Sequence, residues 1–217
     1  EIAKNAGYTH SIRASSNLSI HSKYPIIDSF EIFKPFNSHG AVIDVDGQRL
    51  LFVNIWLNSL PDSFEDIKKL NPDSLIANEG PTRLNEITSI MKAVDSLEKK
   101  LKIPVVIGGD FNSHSHLDWV ESTQKFHYGK VVQWPVSKLM LEYNYTDSFR
   151  KAHPDPRQTL EGTWGYLSPR DIISDRIDFI YYKGENLKTL YSKIVMEDPE
   201  DGFFNSDHRA VLTQFEL

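Results

Sequence analysis

Two apolar segments joined by a tight-turn signal constrain the fold of this chain most strongly. Residues 40–44 (GAVID) and 50–57 (LLFVNIWL) have the composition of β-strands, and the Asp46-Gly47 pair between them favours an antiparallel hairpin. The second segment is apolar almost throughout, so we predict a strand that is buried on both faces. The protein is therefore expected to contain a sheet with antiparallel pairing.

An amphipathic helix is the second strong signal. Apolar residues recur at spacings of three and four, which predicts one helix over residues 83–100 with a single buried stripe. Thr82 is a candidate N-cap for this helix. The polar stretch 58–81 before it contains three prolines, has room for a short helix, and is long enough to be functional. The stripe consists of Leu84, Ile87, Ile90, Met91, Val94, Leu97 and Leu101.

The remaining elements indicate mixed or antiparallel sheets covered by helices. Residues 104–107 form a short apolar strand closed by two glycines, and residues 175–182 and 210–215 are further strands. Residues 137–143 are predicted to be helical. No repeat, low-complexity tract or linker interrupts the chain, so we expect one domain over residues 1–217. An α/β (α+β) architecture is favoured over a purely parallel Rossmann arrangement.

Composition excludes several functional classes. The 217 residues include no cysteine, which rules out disulfides, thiolate catalysis and zinc–thiolate sites. A formal charge of −6 argues against a basic nucleic-acid coat protein but not against a nuclease that uses a metal ion. No apolar run approaches the length of a membrane helix. The start at Glu1 suggests removal of an upstream piece, and we lean toward a secreted or periplasmic protein.

Three short segments contain acidic, amide and histidine side chains of the kind found in catalytic sites. In residues 108–112 a buried strand ends in two glycines and delivers Asp110 and Asn112 to its edge. A carboxylate and an amide placed there could orient a water molecule and bind an oxyanion. Taken alone, these residues could equally form a simple turn.

The other two segments place acids beside apolar strands. Asp178 lies inside an apolar strand and needs a partner, either Arg176 in a structural salt bridge or a histidine. Asp207 and His208 precede the last strand, and Asp178 could hold the second nitrogen of this histidine. Residues 206–207 alone could also cap a turn. The order of the three segments is more informative than any one of them.

Together these segments resemble the endonuclease/exonuclease/phosphatase family. The family patterns GDFN, R-[IL]-D-[YF]-[IF] and S-D-H-x-[AP]-V appear at residues 109–112, 176–180 and 206–211. Weaker similarities are SKYPI at residues 22–26, Asn54 in the position of the Asn of N-x-H-L, and GTW at residues 162–164. The resemblance implies a DNase I-like fold, a four-layer α/β/β/α sandwich of two mostly antiparallel sheets.

The same resemblance implies Mg²⁺- or Mn²⁺-dependent hydrolysis of a phosphate ester by in-line displacement. Asp110 would orient or deprotonate the attacking water, and Asn112 would donate to a non-bridging phosphate oxygen. His208, held by Asp178, would contact the phosphoryl group. Asp207 would help to hold the metal.

Two positions depart from the family pattern. The metal-binding Glu of its N-terminal Q-E motif is not found, and residues 1–8 resemble the helix that follows it. We therefore expect the domain to be N-terminally incomplete, without the first strands. Trp56 stands where the family has the His of N-x-H-L, so the leaving oxygen would need another proton donor, or Trp56 is core packing. These departures motivate an alternative, a catalytically impaired member that acts as a binding or regulatory domain.

Substrate determinants are less specific. We take Asn54, His116 and Trp164 as candidate substrate-binding residues, with ordinary loop packing as the alternative. His114 and His116 are a weak pattern for a second metal ion. The substrate could be a small molecule, a lipid head group or a nucleic acid, and the oligomeric state is left open. A lectin-like module that uses the tryptophans has little support.

Overall fold

A six-stranded mixed sheet forms the centre of the structure, a computed structural model that describes residues 2–165, 174–195 and 206–217. Its strands are β3 (Ile26–Glu31), β4 (Ser38–Val45), β5 (Gln48–Trp56), β6 (Val105–Asp110), β7 (Thr146–Asp147) and β8 (Asp178–Lys183). The spatial order is β3-β4-β5-β6-β8-β7. Only β5 and β6 pair in parallel, and the other neighbours are antiparallel.

Two smaller antiparallel sheets complete the described strands. β1 (His10–Arg13) pairs with β2 (Ser19–Ser22), and β9 (Lys188–Val195) pairs with β10 (Ala210–Glu216). The helices are α1 (Ile2–Asn5), α2 (Ser63–Asp66), α3 (Pro72–Glu79), α4 (Asn85–Leu101), α5 (Pro135–Glu142) and α6 (Ser148–Ala152), with a π-helical turn at Gly80–Leu84. None of the helices in these described ranges is long and apolar enough to span a membrane.

The main core lies on one face of the central sheet. Ile87, Ile90, Met91 and Val94 of α4 are buried there against β5, β6 and β8, which confirms the predicted stripe. The opposite face is covered less completely, and an apolar groove of about 510 Å³ lies between it and residues of β2 and β10. The mixed α/β fold with helices packed on a central sheet agrees with the predicted fold class.

Several local predictions need correction. β4 and β5 form the predicted hairpin, with Asp46 and Gly47 at positive φ. However, β5 is not buried on both faces, because Phe52, Asn54 and Trp56 are only half-buried where they face the groove and the pocket described below.

The helix before β6 also starts differently from the prediction. Thr82 does not cap it, because the π-helical turn runs directly from α3 into α4 and Thr82 lies inside this turn. The strand predicted over residues 175–182 begins only at Asp178, because the earlier residue Asp175 pairs with Trp164 instead.

Candidate active site

The ends of three adjacent strands bring the central residues of the site together. Trp56 on β5 lies opposite Asp110 on β6, and Asp110 lies opposite Asp178 on β8. Asp110 lies at the end of its strand, as the sequence predicts, and the structure adds that Asp178 lies at the same edge of the sheet. Two carboxylates now face each other across a strand pair, which is unfavourable without a compensating charge.

A glycine next to the last residue of β6 leads into the turn after this strand and leaves no room for a Cβ. Gly109 has a φ of +148°, and a Cβ there would lie 1.9 Å from the carbonyl oxygen of Ile55. Asn112 follows with a φ of 47°, a left-handed conformation that asparagine tolerates better than most residues. This turn directs the side chains of Asp110 and Asn112 to the same place.

Asn112 holds Asp110 in position. Its backbone N–H donates to Asp110 Oδ1 at 2.8 Å, and its side-chain Nδ2 donates to Asp110 Oδ2 and to the Leu57 carbonyl oxygen, both at 2.9 Å. Both Nδ2 hydrogens are thus engaged within the protein. Donation from Asn112 to a phosphate oxygen requires that one of these bonds be exchanged.

The electrostatics of Asp110 are unusual for a carboxyl group. Burial raises its pKa, and repulsion from Asp178 raises it further, to about 7. Hydrogen bonds from the Asn112 backbone and the Trp56 side chain and the attraction of His208 act in the opposite direction but do not cancel these effects. Asp110 can therefore exchange a proton near neutral pH.

His208 and Asp178 form the predicted pair. His208 Nδ1 lies 2.9 Å from Asp178 Oδ2, and the His208 backbone N–H donates to Ser206 Oγ. Burial alone would lower the pKa of His208, but the hydrogen bond and the charge of Asp178 raise it above its usual value. The protonated ring then has Nε2–H available for a ligand. Thr163 helps to position this pair, because its hydroxyl oxygen accepts a hydrogen bond from the backbone N–H of Asp178.

A pocket of about 260 Å³ surrounds these groups. Its described lining residues include no lysine or arginine, so protonated His208 is the one cationic side chain among them. Trp164 and Phe64 form one wall with ring centroids 4.4 Å apart. The lining residues are Trp56, Ser59, Leu60, Asp62, Ser63, Phe64, Asp110, Asn112, Trp164, Ile177, Asp207 and His208.

The donor set of the pocket fits a divalent cation. One ligand atom from each of Asp110, Asp178 and His208 lies within 4.8 Å of the others. Carboxylate oxygens are ligands that suit Mg²⁺ and Mn²⁺. Asp207 is not in this group, although it lines the same pocket and accepts a hydrogen bond from Trp164 Nε1 at 3.2 Å. The raised pKa of Asp110 reflects its burial and its proximity to Asp178.

The other predicted substrate residues lie apart from one another. Trp164 lines the pocket, but Asn54 lines the apolar groove and donates to the Ser19 carbonyl oxygen at 3.0 Å. The backbone N–H of His116 donates to Ser137 Oγ, and its Nδ1 also contacts this hydroxyl. His116 is not among the described residues that line the pocket.

The histidine pattern does not correspond to a second metal centre. Both ring nitrogens of His114 contact protein groups, Asp175 and Ser63, and the side chain is fully buried. Arg176 likewise does not pair with Asp178. It forms ion pairs with Asp118 and Asp147 instead, so the salt-bridge alternative for Asp178 is wrong.

Sequence reasoning missed the residues that shape the pocket rim. Arg83 is buried and donates to the carbonyl oxygens of Asn58 and Pro61, which holds the loop before α2. Its guanidinium also pairs with Glu79, and Glu79 accepts from the hydroxyl of Ser113, next to Asn112. The length of the polar stretch 58–81 indicated that this region is functional, but no sequence pattern identified the individual residues that shape the rim.

Comparison with known proteins agrees with this geometry. Residues 3–208 match the endonuclease/exonuclease/phosphatase family. The chain belongs to this family. Family members are hydrolases that act on phosphate esters. An uncharacterized Caenorhabditis elegans protein, F14F9.5, is 37% identical over 125 residues, which cover 52% of this chain and 39% of that protein.

Solved structures of the family show the same fold at low sequence identity. An endonuclease/exonuclease/phosphatase from Beutenbergia cavernae DSM 12333 superimposes with a TM-score of 0.65 and 15% identity, over 100% of this chain and 55% of that chain. The structure of D. rerio TDP2 complexed with a single strand DNA product also superimposes with a TM-score of 0.65 and 15% identity. This match covers 100% of our chain and 80% of the TDP2 chain. The chain thus has the DNase I-like fold of these enzymes.

Proposed function

We propose that this protein catalyses divalent-metal-dependent hydrolysis of a phosphate ester. The observation that carries the proposal is the arrangement of Asp110, which faces Asp178, is held by Asn112 and lines one pocket together with His208. A carboxyl group positioned in this way is suited to orient a water molecule and accept its proton. Membership of a phosphoesterase family supports the reaction class.

Three residues of the pocket have different roles in the proposed reaction. Asp110 would orient the attacking water and accept its proton, in line with the bond to the leaving group. His208, held through Nδ1 by Asp178, would donate from Nε2 to a phosphoryl oxygen and stabilise the charge that develops there. Asn112 positions Asp110 in the resting structure. It could donate to a phosphate oxygen if Nδ2 gave up its hydrogen bond to Asp110 or to the Leu57 carbonyl oxygen.

Two carboxylate sets are available for Mg²⁺ or Mn²⁺. The sequence resemblance favours Asp207, whereas proximity favours the carboxylates of Asp110 and Asp178, since His208 acts here as a hydrogen-bond donor. A bound cation would add its positive charge to that of protonated His208. Because Asp178 Oδ2 is already engaged by His208, we favour Asp207 as the ligand. Metal-induced increases in melting temperature should then be lost in Asp207→Asn and retained in Asp178→Asn.

Turnover of chromogenic phosphate mono- and diesters, with and without Mg²⁺ or Mn²⁺, tests the function. We expect metal-stimulated hydrolysis that falls by about 10²-fold or more in Asp110→Asn and in His208→Gln, because each removes a proton-transfer or charge-stabilising group. Asp73→Asn, at an exposed position in the first turn of α3, is the matched control and should retain activity. Metal-independent turnover, or full activity in both pocket variants, would contradict the proposal.

A second candidate is a domain that binds phosphate esters without hydrolysing them. It is favoured by Trp56, a residue without acid–base chemistry that stacks on Phe36 and contacts Asp110. Calorimetric titration with the same esters in the presence of metal separates the two functions. Binding without turnover in the wild-type protein would favour this second candidate.

A further inference from the structure

A second hydrogen-bonded array reaches the pocket from the protein interior. Ser63 Oγ lies 3.2 Å from His114 Nε2, and His114 Nδ1 lies 2.8 Å from Asp175 Oδ2. Hydroxyl, imidazole and carboxylate are therefore connected in series. The proposed hydrolysis uses none of these three residues. Ser63 lines the same pocket as Asp110 and His208.

The protonation of this array follows from Asp175. Burial alone would raise its pKa, but His114 and other donors hold it down at about 2, so the group is a carboxylate and only accepts hydrogen bonds. The Arg176 backbone N–H and Trp119 Nε1 also donate to it. The contact with this carboxylate requires a proton on His114 Nδ1, and Nε2 is then the ring nitrogen that faces the hydroxyl of Ser63.

The imidazole is held rigidly in this orientation. His114 has no exposed surface and contacts the rings of Phe64, Trp134 and Trp119, with centroid distances of 4.6, 4.7 and 5.3 Å. Rotation of the ring would break both of its hydrogen bonds inside an apolar environment, which is costly. Ser63 is the first residue of α2, directly after the loop that Arg83 holds through the Pro61 carbonyl oxygen. Both ends of the Ser63–His114 contact are thus fixed.

We propose that Ser63, His114 and Asp175 form a nucleophile triad, which gives the pocket a second reactive centre that attacks phosphorus esters without a metal ion. Ser63 Oγ forms a bond to phosphorus while the bond from phosphorus to the leaving group breaks. The hydroxyl proton passes to His114 Nε2, and the leaving group departs with the electron pair as an anion. Asp175 stabilises the resulting imidazolium. A nucleophile, a base and an orienting acid in hydrogen-bond contact are the signature of an activated hydroxyl.

A fluorophosphonate probe tests this reactivity directly. The wild-type protein is incubated with the probe in EDTA, and the adduct is located by peptide mass spectrometry. We expect fluoride release and labelling at Ser63 at a rate about 10²-fold or more above that of other serines, because a positioned base contributes at least this factor. Two serines paired with histidines serve as internal controls. Ser19 contacts His21 Nε2 at 3.0 Å and Ser137 contacts His116 Nδ1 at 2.7 Å, and no carboxylate within the described residues is hydrogen-bonded to either ring.

Two variants extend the test. Ser63→Ala should abolish the adduct, and Asp175→Asn should slow labelling by about 10³-fold or more, because an amide donor would reverse the tautomer of His114. Circular dichroism establishes that each variant is folded. If Asp175→Asn does not fold, the comparison of Ser63 with Ser19 and Ser137 in the wild-type protein decides the question. Absence of a Ser63 adduct, or equal labelling of the three serines, overturns the proposal. Because labelling is measured in EDTA, its failure is distinct from a failure of metal-dependent hydrolysis.

Discussion

Asp110→Asn should stabilise the protein while removing its proposed activity. A carboxyl with a pKa of about 7 in the folded protein and 3.8 in the unfolded chain costs about 1.4 kcal/mol of folding stability for each pH unit between these values. At pH 8 this amounts to about 4 kcal/mol, and we expect about 2 kcal/mol because water enters the partly open pocket. For a chain of 217 residues the gain corresponds to about 6 °C in melting temperature.

The pH dependence distinguishes this effect from a general improvement in packing. The pKa of Asp110 is raised on folding, so the destabilisation is absent below about pH 4, grows as the pH rises, and is complete above about pH 7. The advantage of Asp110→Asn, measured by thermal unfolding in EDTA, should therefore be largest at pH 8 and vanish near pH 4. Asp147→Asn is the matched control, because this buried Asp pairs with Arg176 at 2.8 Å and its loss should cost about 3 kcal/mol or more. A lower melting temperature for Asp110→Asn at pH 8, or the same gain at both pH values, would refute the reasoning.

Three further predictions concern the framework of the site. Gly109→Ala should destabilise the protein by about 3 kcal/mol or more in urea unfolding, since its Cβ would overlap the Ile55 carbonyl oxygen, and an unchanged midpoint would contradict the observed turn. Arg83→Met should cost about 3–5 kcal/mol in the same assay, because Glu79 is left buried without its cation. The pKa of Asp175 is lowered to about 2 in the folded protein, so its carboxylate contributes about 2 kcal/mol of stability above pH 4. This contribution should be lost as the pH falls toward 2, and the unfolding free energy of Asp175→Asn should not show that loss.

Local sequence signals predicted the elements that position Asp110. The Asp46-Gly47 turn, the stripe of α4 and the apolar run of β6 each depend on neighbouring residues only, and the structure contains all three. Their boundaries were less accurate. Thr82 has the chemistry of an N-cap, but α3 continues into α4 through a π-helical turn, so this helix has no free N-terminus there.

Long-range contacts explain what the sequence did not reveal. Ser63 and His114 are 51 residues apart, and His114 and Asp175 are 61 residues apart, so no spacing within one element connects them. His114 was conspicuous only as part of an His-x-His pattern, and its true partners come from the polar stretch before α3 and from the segment before β8. The sequence also left open whether Trp56 has a packing or a functional role. In the structure it stacks on Phe36 and lines the pocket.

The distribution of charge distinguishes Asp110 from the buried acids among the described residues. Each fully buried acid among the described residues has a cationic or histidine partner inside the protein: Glu79 pairs with Arg83, Asp118 with Arg150 and Arg176, Asp147 with Arg176, and Asp175 with His114. Asp110, by contrast, is half-buried, accepts hydrogen bonds from the neutral groups of Asn112 and Trp56, and faces a second carboxylate. The proposed binding of a divalent cation beside Asp110 would offset the repulsion from Asp178, as arginine and histidine side chains offset the charges of the buried acids.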